Sequence, residues 1–286
     1  WVSVDGGYLY GVHAPGHRNL YEAPIAAHHL MCAHGAAVEA YRALAKQKIG
    51  LVVNIEPKYS ASDDPADVAA TRRADAYMNR QFLDPIFLGA YPAELADIYG
   101  DAWREHSAED MARIRRWVDY IGINYYTRSV NRHDPAHWPV GASPVRQPDR
   151  VYTETGWEVH PESFTRLLLW FRERYHDVPL YITENGAAFP DPATAGPGGI
   201  EDHARVDYYR QHLRALHAAM KLGVDVRGYF AWSLMDNWEW AEGYTKRFGL
   251  YAVDFESQQR TAKHSARFYR DVVAAHAVPT VVPQYS

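Results

Sequence analysis

Apolar positions along the chain follow two alternating patterns. Short, nearly continuous apolar runs at residues 49–55, 120–124, 180–183 and 226–232 have the length of buried strands and are bounded by turn residues. Between and after them, apolar residues recur at helical spacing, which predicts helices over 24–46, 65–82, 161–175, 202–222 and 263–276. Their ends are signalled as well. Pro24, Pro65 and Pro161 fall where a first helical turn tolerates proline, Gly223 follows the fourth helix, and Ser107 with Asp110 reads as a short capping box. Within 202–222, Val206, Tyr209, Leu213, Leu216 and Met220 form one apolar stripe for a sheet to cover. Strands alternating with helices make the chain α/β.

Candidate chemistry gathers at two strand ends. The run Pro179-Leu-Tyr-Ile-Thr183 delivers Glu184 to the loop that opens with Asn185-Gly186, and catalytic groups collect where such strands open into loops. Taken alone, Thr-Glu-Asn-Gly fits a Glu that caps a helix or meets a surface Arg. The second cluster changes that. Gly228-Tyr-Phe-Ala-Trp232 is followed by Trp238-Glu239-Trp240 and then Arg247-Phe248-Gly249. Core packing accounts for Trp232, but large rings alternating with a charge on a short loop waste burial unless something binds there. Sugars fit, because their C–H faces pack on aromatic rings and their hydroxyls need paired acceptors.

These segments resemble glycoside hydrolase family 1, the β-glucosidase family, and the resemblance runs over nearly the whole chain. Besides YITENG at 181–186 (with Tyr181 first) and AWSLMDNWEWAEGYTKRFGLYAVDF from Ala231, the sequence shows GVHAPG from Gly11, DPIFLGAYP from Asp84, GINYYTR from Gly122 and GWEVHPE from Gly156. The resemblance implies a retaining β-glucosidase that forms a covalent glycosyl-enzyme intermediate on Glu184, with the Tyr126 phenol hydrogen-bonded to that carboxylate. It implies Glu239 and Trp240 as the pair gripping the terminal sugar, Trp232 as the pocket floor, Phe248 at its border, Trp157 on the leaving-group side, and Asn124 among the substrate-binding residues. An unphosphorylated β-D-glucoside is expected, since a carboxylate at Glu239 repels a phosphate. No cofactor is expected, because both chemical steps use side chains and water.

The family's acid/base Glu sits in an Asn-Glu-Pro motif that these residues lack. The chain opens on Trp1-Val-Ser-Val and reaches GVHAPG at Gly11, so the acid/base is expected upstream of Trp1. Asn54-Ile-Glu56-Pro57 looks superficially similar, but the extra residue turns Glu56 to the opposite face of a strand, and it comes a full strand-helix unit too late. Strand counting agrees. A (β/α)8 TIM barrel takes about 250 residues, yet only four barrel strands are legible here. The expectation is one domain over residues 1–286 that supplies roughly strands 5 to 8 of a barrel and pairs with the N-terminal part. The residues leave two other readings open: a noncatalytic sugar-binding fragment or pseudoenzyme, and a transglycosylase in which a sugar replaces water.

Composition narrows the partners. Thirty Lys and Arg against 35 Asp and Glu give a net charge of −5, without the basic field that nucleic acid or a membrane surface would need. No apolar run reaches the ~18 residues of a membrane span. The single cysteine, Cys32, excludes an internal disulfide and fits a reducing compartment, so a cytoplasmic location is expected. His28, His29, Cys32 and His34 share one predicted helix, but no second cluster with ligand spacing follows, and the group reads as helix face and core, with no metal expected. The Pro- and Gly-bearing stretches 131–151 and 189–200 read as long surface loops walling the leaving-group side.

Overall fold

The computed structural model describes residues 1–286 except 193, 194, 197, 281–284 and 286. Its elements in the first half are α1 (Glu22–Leu44), β1 (Gly50–Asn54), β2 (Lys58–Ser60), α2 (Pro65–Asp75), α3 (Gln81–Phe87), α4 (Glu94–Tyr99) and α5 (Ala108–Ile114). There follow β3 (Tyr120–Asn124), β4 (Ser129–His133), β5 (Ala142–Pro144), α6 (Pro161–Tyr175), β6 (Leu180–Asn185), α7 (His203–Lys221), β7 (Val226–Ala231), β8 (Tyr251–Val253), β9 (Arg260–Ala262) and α8 (His264–Ala275). The four strands expected from the apolar runs are the four of the main sheet, in the order β1-β3-β6-β7. The sequential order with helical crossovers is that of a (β/α) barrel wall. Ile121 N–H donates to the Pro179 carbonyl and Tyr125 N–H to the Glu184 carbonyl, so β3 and β6 climb in the same direction.

The chain forms two compact units. The first comprises residues 1–123, 128–148 and 175–181. Here α1 buries Ala23, Ala27, Met31 and Val38 at helical spacing. Gly35 lets it meet α5, because a Cβ there would stand 2.1 Å from the Arg113 carbonyl oxygen. Asp64 caps α2 by accepting from Ala66 N–H at 2.8 Å, with Pro65 at the first helical position. The helix expected over 65–82 is interrupted: α2 gives way to a wide turn over Ala76–Arg80 before α3. At that turn Asn79 spends its side-chain amide on the Glu56 carbonyl and on Asp75, a sideways demand that helical periodicity cannot reveal. The capping box is present, with Ser107 Oγ accepting from Asp110 N–H at 3.0 Å.

The stretch read as a surface loop over 131–151 is not all loop. It holds most of β4 and all of β5, which pair antiparallel, while β4 also pairs with β2 in parallel. These strands are short and poor in β-branched residues, and β4's partner β2 is remote in sequence, which hides them from pattern reading.

The second unit comprises residues 124–127, 149–174 and 182–286. Its core joins Phe164, Leu168 and Phe171 of α6 to Ile182 of β6 and to Val206, Tyr209, Leu213 and Leu216 of α7. Tyr125 stacks on Phe164 with ring centroids 4.6 Å apart. Met220, expected in the α7 stripe, is exposed instead, and Ala219 takes the buried place one residue earlier, as a 3.6-residue period allows. In the stretch 189–200, Phe189 and Asp191 fold onto Arg205, whereas 193, 194 and 197 lie outside the described residues. Among the described residues no helix is long and apolar enough to cross a membrane.

Candidate active site

Every residue singled out as a site candidate from Asn124 to Phe248 belongs to the second unit. Glu184 is the next-to-last residue of β6 and half-buried. Strand alternation sends its neighbour Asn185 the other way, where it is fully buried. The Asn185 amide donates to the Tyr125 carbonyl at 2.8 Å and to the Tyr208 hydroxyl at 2.9 Å, while its oxygen accepts from the Tyr229 hydroxyl at 2.7 Å. That clamp joins Tyr125, just past β3, to α7 and β7 behind the acid. Gly186 completes it. A Cβ there would stand 1.8 Å from the Trp232 carbonyl oxygen, so only glycine lets the end of β6 meet the end of β7.

On the open side, the Tyr126 hydroxyl donates to Glu184 Oε2 at 2.5 Å. Tyr126 directly follows the residue that pairs with the Glu184 carbonyl, so the β3-β6 register itself sets this contact. Burial raises the Glu184 carboxyl above the usual range, and hydrogen bonds from Tyr126 and Asn124 oppose the rise. Burial and the adjacent Glu184 charge push the Tyr126 phenol far up, so it stays a donor. Asn124 also accepts from the Thr183 hydroxyl at 2.6 Å, which leaves its amide hydrogens for Glu184.

The aromatic wall follows. Trp157 lies against Tyr126 with centroids 4.9 Å apart and faces Phe248 at 6.1 Å; Phe248 is buried. Trp232, just past β7, lies close enough to the Glu239 carboxylate for its indole N–H to favour the charged form. Burial raises the Glu239 carboxyl, the indole opposes this, and the Glu184 charge adds to the rise, so the two acids share one electrostatic neighbourhood. Trp240 is 58% exposed. Its positive φ of 44° and the Gly243 turn, closed by Glu239 N–H donating to the Gly243 carbonyl at 2.7 Å, hold this loop in a tight curl.

Sequence reasoning missed what anchors the loop. Asp236 is buried and accepts from Gly249 N–H at 2.8 Å, Lys263 Nζ at 3.2 Å and Arg247 at 3.2 Å. Lys263, itself buried, also pairs with Asp191 at 2.6 Å, and Arg205 bridges Asp191 and Asp202. Each buried charge here has an opposite partner, the condition for keeping it away from water. Nothing local marks these residues; a Lys before a helix and an Asp in a Trp-rich loop read as surface.

Two other features are separate from this cluster. An apolar groove of about 820 Å3, lined by Leu213, Leu216, Met220, Val226, Tyr229 and Val273 among others, presents no carboxylate. In the first unit, Glu56 is held by Lys58 Nζ at 2.6 Å, with its own N–H bound to Asn79.

Residues 1–278 match the family model for glycosyl hydrolase family 1. The chain belongs to that family. Among its family 1 relatives is a β-glucosidase of Agrobacterium sp., 43% identical over 272 residues, covering 94% of this chain and 59% of the relative. A solved family 1 β-glucosidase of Thermotoga maritima superposes with a TM-score of 0.93 at 39% identity, covering 98% of this chain and 63% of that one. The same enzyme in complex with glucoimidazole gives 0.92 at 39% identity, over 98% of this chain and 62% of its own. The chain thus spans about three fifths of the length of these family 1 members.

Proposed function

We propose that this family 1 chain carries the nucleophile and the terminal-sugar pocket of a retaining β-glucosidase acting on unphosphorylated β-D-glucosides. The observation that supports it is the short hydrogen bond from Tyr126 to Glu184 beside Trp157, Phe248 and the Trp232–Glu239 pair. In the first step Glu184 Oε attacks the anomeric carbon, forming an ester while the bond to the leaving oxygen breaks and that oxygen takes a proton from an acid. Water, deprotonated by the same group as base, then attacks the anomeric carbon and frees Glu184. A retaining pair of carboxyls stands about 5 to 5.5 Å apart.

Glu239 is unsuited to the acid's role. Its carboxylate lies beside the Trp232 indole, a setting suited to gripping sugar hydroxyls. Glu56 is engaged in an ion pair with Lys58. We assign the acid/base to residues beyond these 286. Trp232 and Trp240 offer faces to the sugar ring, and Trp157 the leaving-group side. Relatives described as β-glucosidases, and a neighbour solved with glucoimidazole, agree with a glucose-like ring in this pocket.

Trapping tests the proposal. A 2-fluoro glucoside with a good leaving group should leave one sugar on the peptide containing Glu184, and Glu184→Gln should cut turnover at least about a thousandfold while retaining sugar binding. Label on another residue, or a Glu184→Gln variant with ordinary rates, would overturn it. Sugar binding without any label would instead assign a noncatalytic sugar-binding role.

A further inference from the structure

A second group of chemically capable side chains lies in the first unit, where α1 packs against α5. His28 and Cys32 are one helical turn apart on α1, and Asp110 lies in the first turn of α5. One ligand atom from each falls within 4.8 Å of the others. His28 Nε2 stands 3.5 Å from Cys32 Sγ and 3.7 Å from Asp110 Oδ2. The second gap is too long for a hydrogen bond. With metal–sulfur bonds of about 2.3 Å and metal–nitrogen or metal–oxygen bonds of about 2.0 to 2.1 Å, tetrahedral ligands sit about 3.3 to 3.6 Å apart. The His28–Cys32 separation, which is also that of a sulfur hydrogen bond, matches such an edge, and the His28–Asp110 separation lies just beyond one.

The surroundings also suit an ion. The other nitrogen of His28, Nδ1, is paired with the Tyr91 hydroxyl at 3.0 Å, the kind of outer contact that fixes which nitrogen faces a metal. His106 stacks on the His28 ring with centroids 3.7 Å apart and restricts its rotation. Asp110 Oδ2 accepts from the Ser107 hydroxyl at 2.8 Å, and Oδ1 lies 4.0 Å from Arg113, which together aim the carboxylate. The Asp110 side chain is 35% exposed, leaving a way in from solvent.

We propose that His28, Cys32 and Asp110 bind one divalent transition-metal ion, with water in the fourth position. One nitrogen, one sulfur and one carboxylate oxygen select a borderline ion, and zinc fits them best. Binding converts the Cys32 thiol to thiolate and releases its proton to solvent. The ion pins α1 to α5 beside the Gly35–Arg113 contact, so its effect is on stability rather than on sugar chemistry.

Cobalt(II) titration of the reduced, metal-free protein tests this. One equivalent should produce the near-ultraviolet charge-transfer band of a cobalt thiolate, and zinc should bleach it. Cys32 is the only cysteine in the sequence, so within these residues the band reports this cluster whatever the other histidines bind. Cys32→Ser should abolish the band, and Asp110→Asn should weaken cobalt binding about tenfold or more. Zinc should raise the thermal midpoint of the parent protein and not that of Cys32→Ser. Absence of the thiolate band in the folded parent protein overturns the proposal, as does zinc stabilisation that survives in Cys32→Ser. Should Cys32→Ser fail to fold, the parent band and its bleaching by zinc decide alone.

Discussion

Glu184 is held between two opposing influences: burial favours its neutral form, and donors from Tyr126 and Asn124 favour its charge. Tyr126→Phe removes the nearer donor. The Glu184 pKa then rises further, and because the proposed attack needs the carboxylate, the acid limb of the kcat/KM profile should move to higher pH. Loss of a hydrogen bond to a charged group should also cost about 1.5 to 3 kcal/mol, roughly ten- to a hundredfold in rate. An unmoved acid limb would disconnect the phenol from the proposed nucleophile. Stability carries the same sign. A carboxyl whose folded pKa is raised penalises the fold once ionised, so the penalty is absent below the unfolded value of about 4.3 and grows as pH climbs through the folded value. Glu184→Gln removes the charge, and its melting temperature should exceed the parent's at neutral pH and converge with it near pH 4.

At the scale of elements, the strands and the long helices were legible because each buries one continuous run or one stripe. The strand expected over 226–232 is observed as Val226–Ala231, and the helix expected over 161–175 as Pro161–Tyr175. Legibility failed where an element depends on distant partners. Asn79 distorts the helix path because Glu56 and Asp75 claim its amide, and β4 exists because β2 and β5 flank it. The candidate site divides the same way. Glu184, Glu239 and their aromatics stand out by residue type, whereas Asn185, Asp236 and Lys263 support them from positions that look ordinary in sequence. Gly186→Ala should therefore separate the ends of β6 and β7, costing about 1 to 3 kcal/mol by overpacking, and should lower kcat as the Glu184 geometry shifts. Urea unfolding with paired kinetics would show both, and an undisturbed Gly186→Ala variant would refute the close approach. Asp236→Asn leaves Lys263 and Arg247 short of a counter-charge. It should raise KM through a loosened Glu239 loop more than it lowers kcat, which a KM-against-kcat comparison checks.

At the scale of the molecule, family, fold and pocket aromatics are present in a chain about three fifths as long as its relatives. If the acid/base lies beyond these residues, as proposed, the 286 residues expressed alone should fail most on substrates with poor leaving groups. Cellobiose turnover should fall at least about a thousandfold below that of the complete protein, while an activated aryl glucoside, which needs little protonation, should fall less. Equal losses on both substrates would contradict that division. The Trp232–Glu239 contact has a practical consequence too. An indole beside a carboxylate emits differently when that carboxylate turns toward sugar hydroxyls, so occupancy of the proposed pocket should register as a shift in intrinsic fluorescence. If sugar binds there as proposed, Trp232 is a built-in optical gauge of its entry, readable without any label.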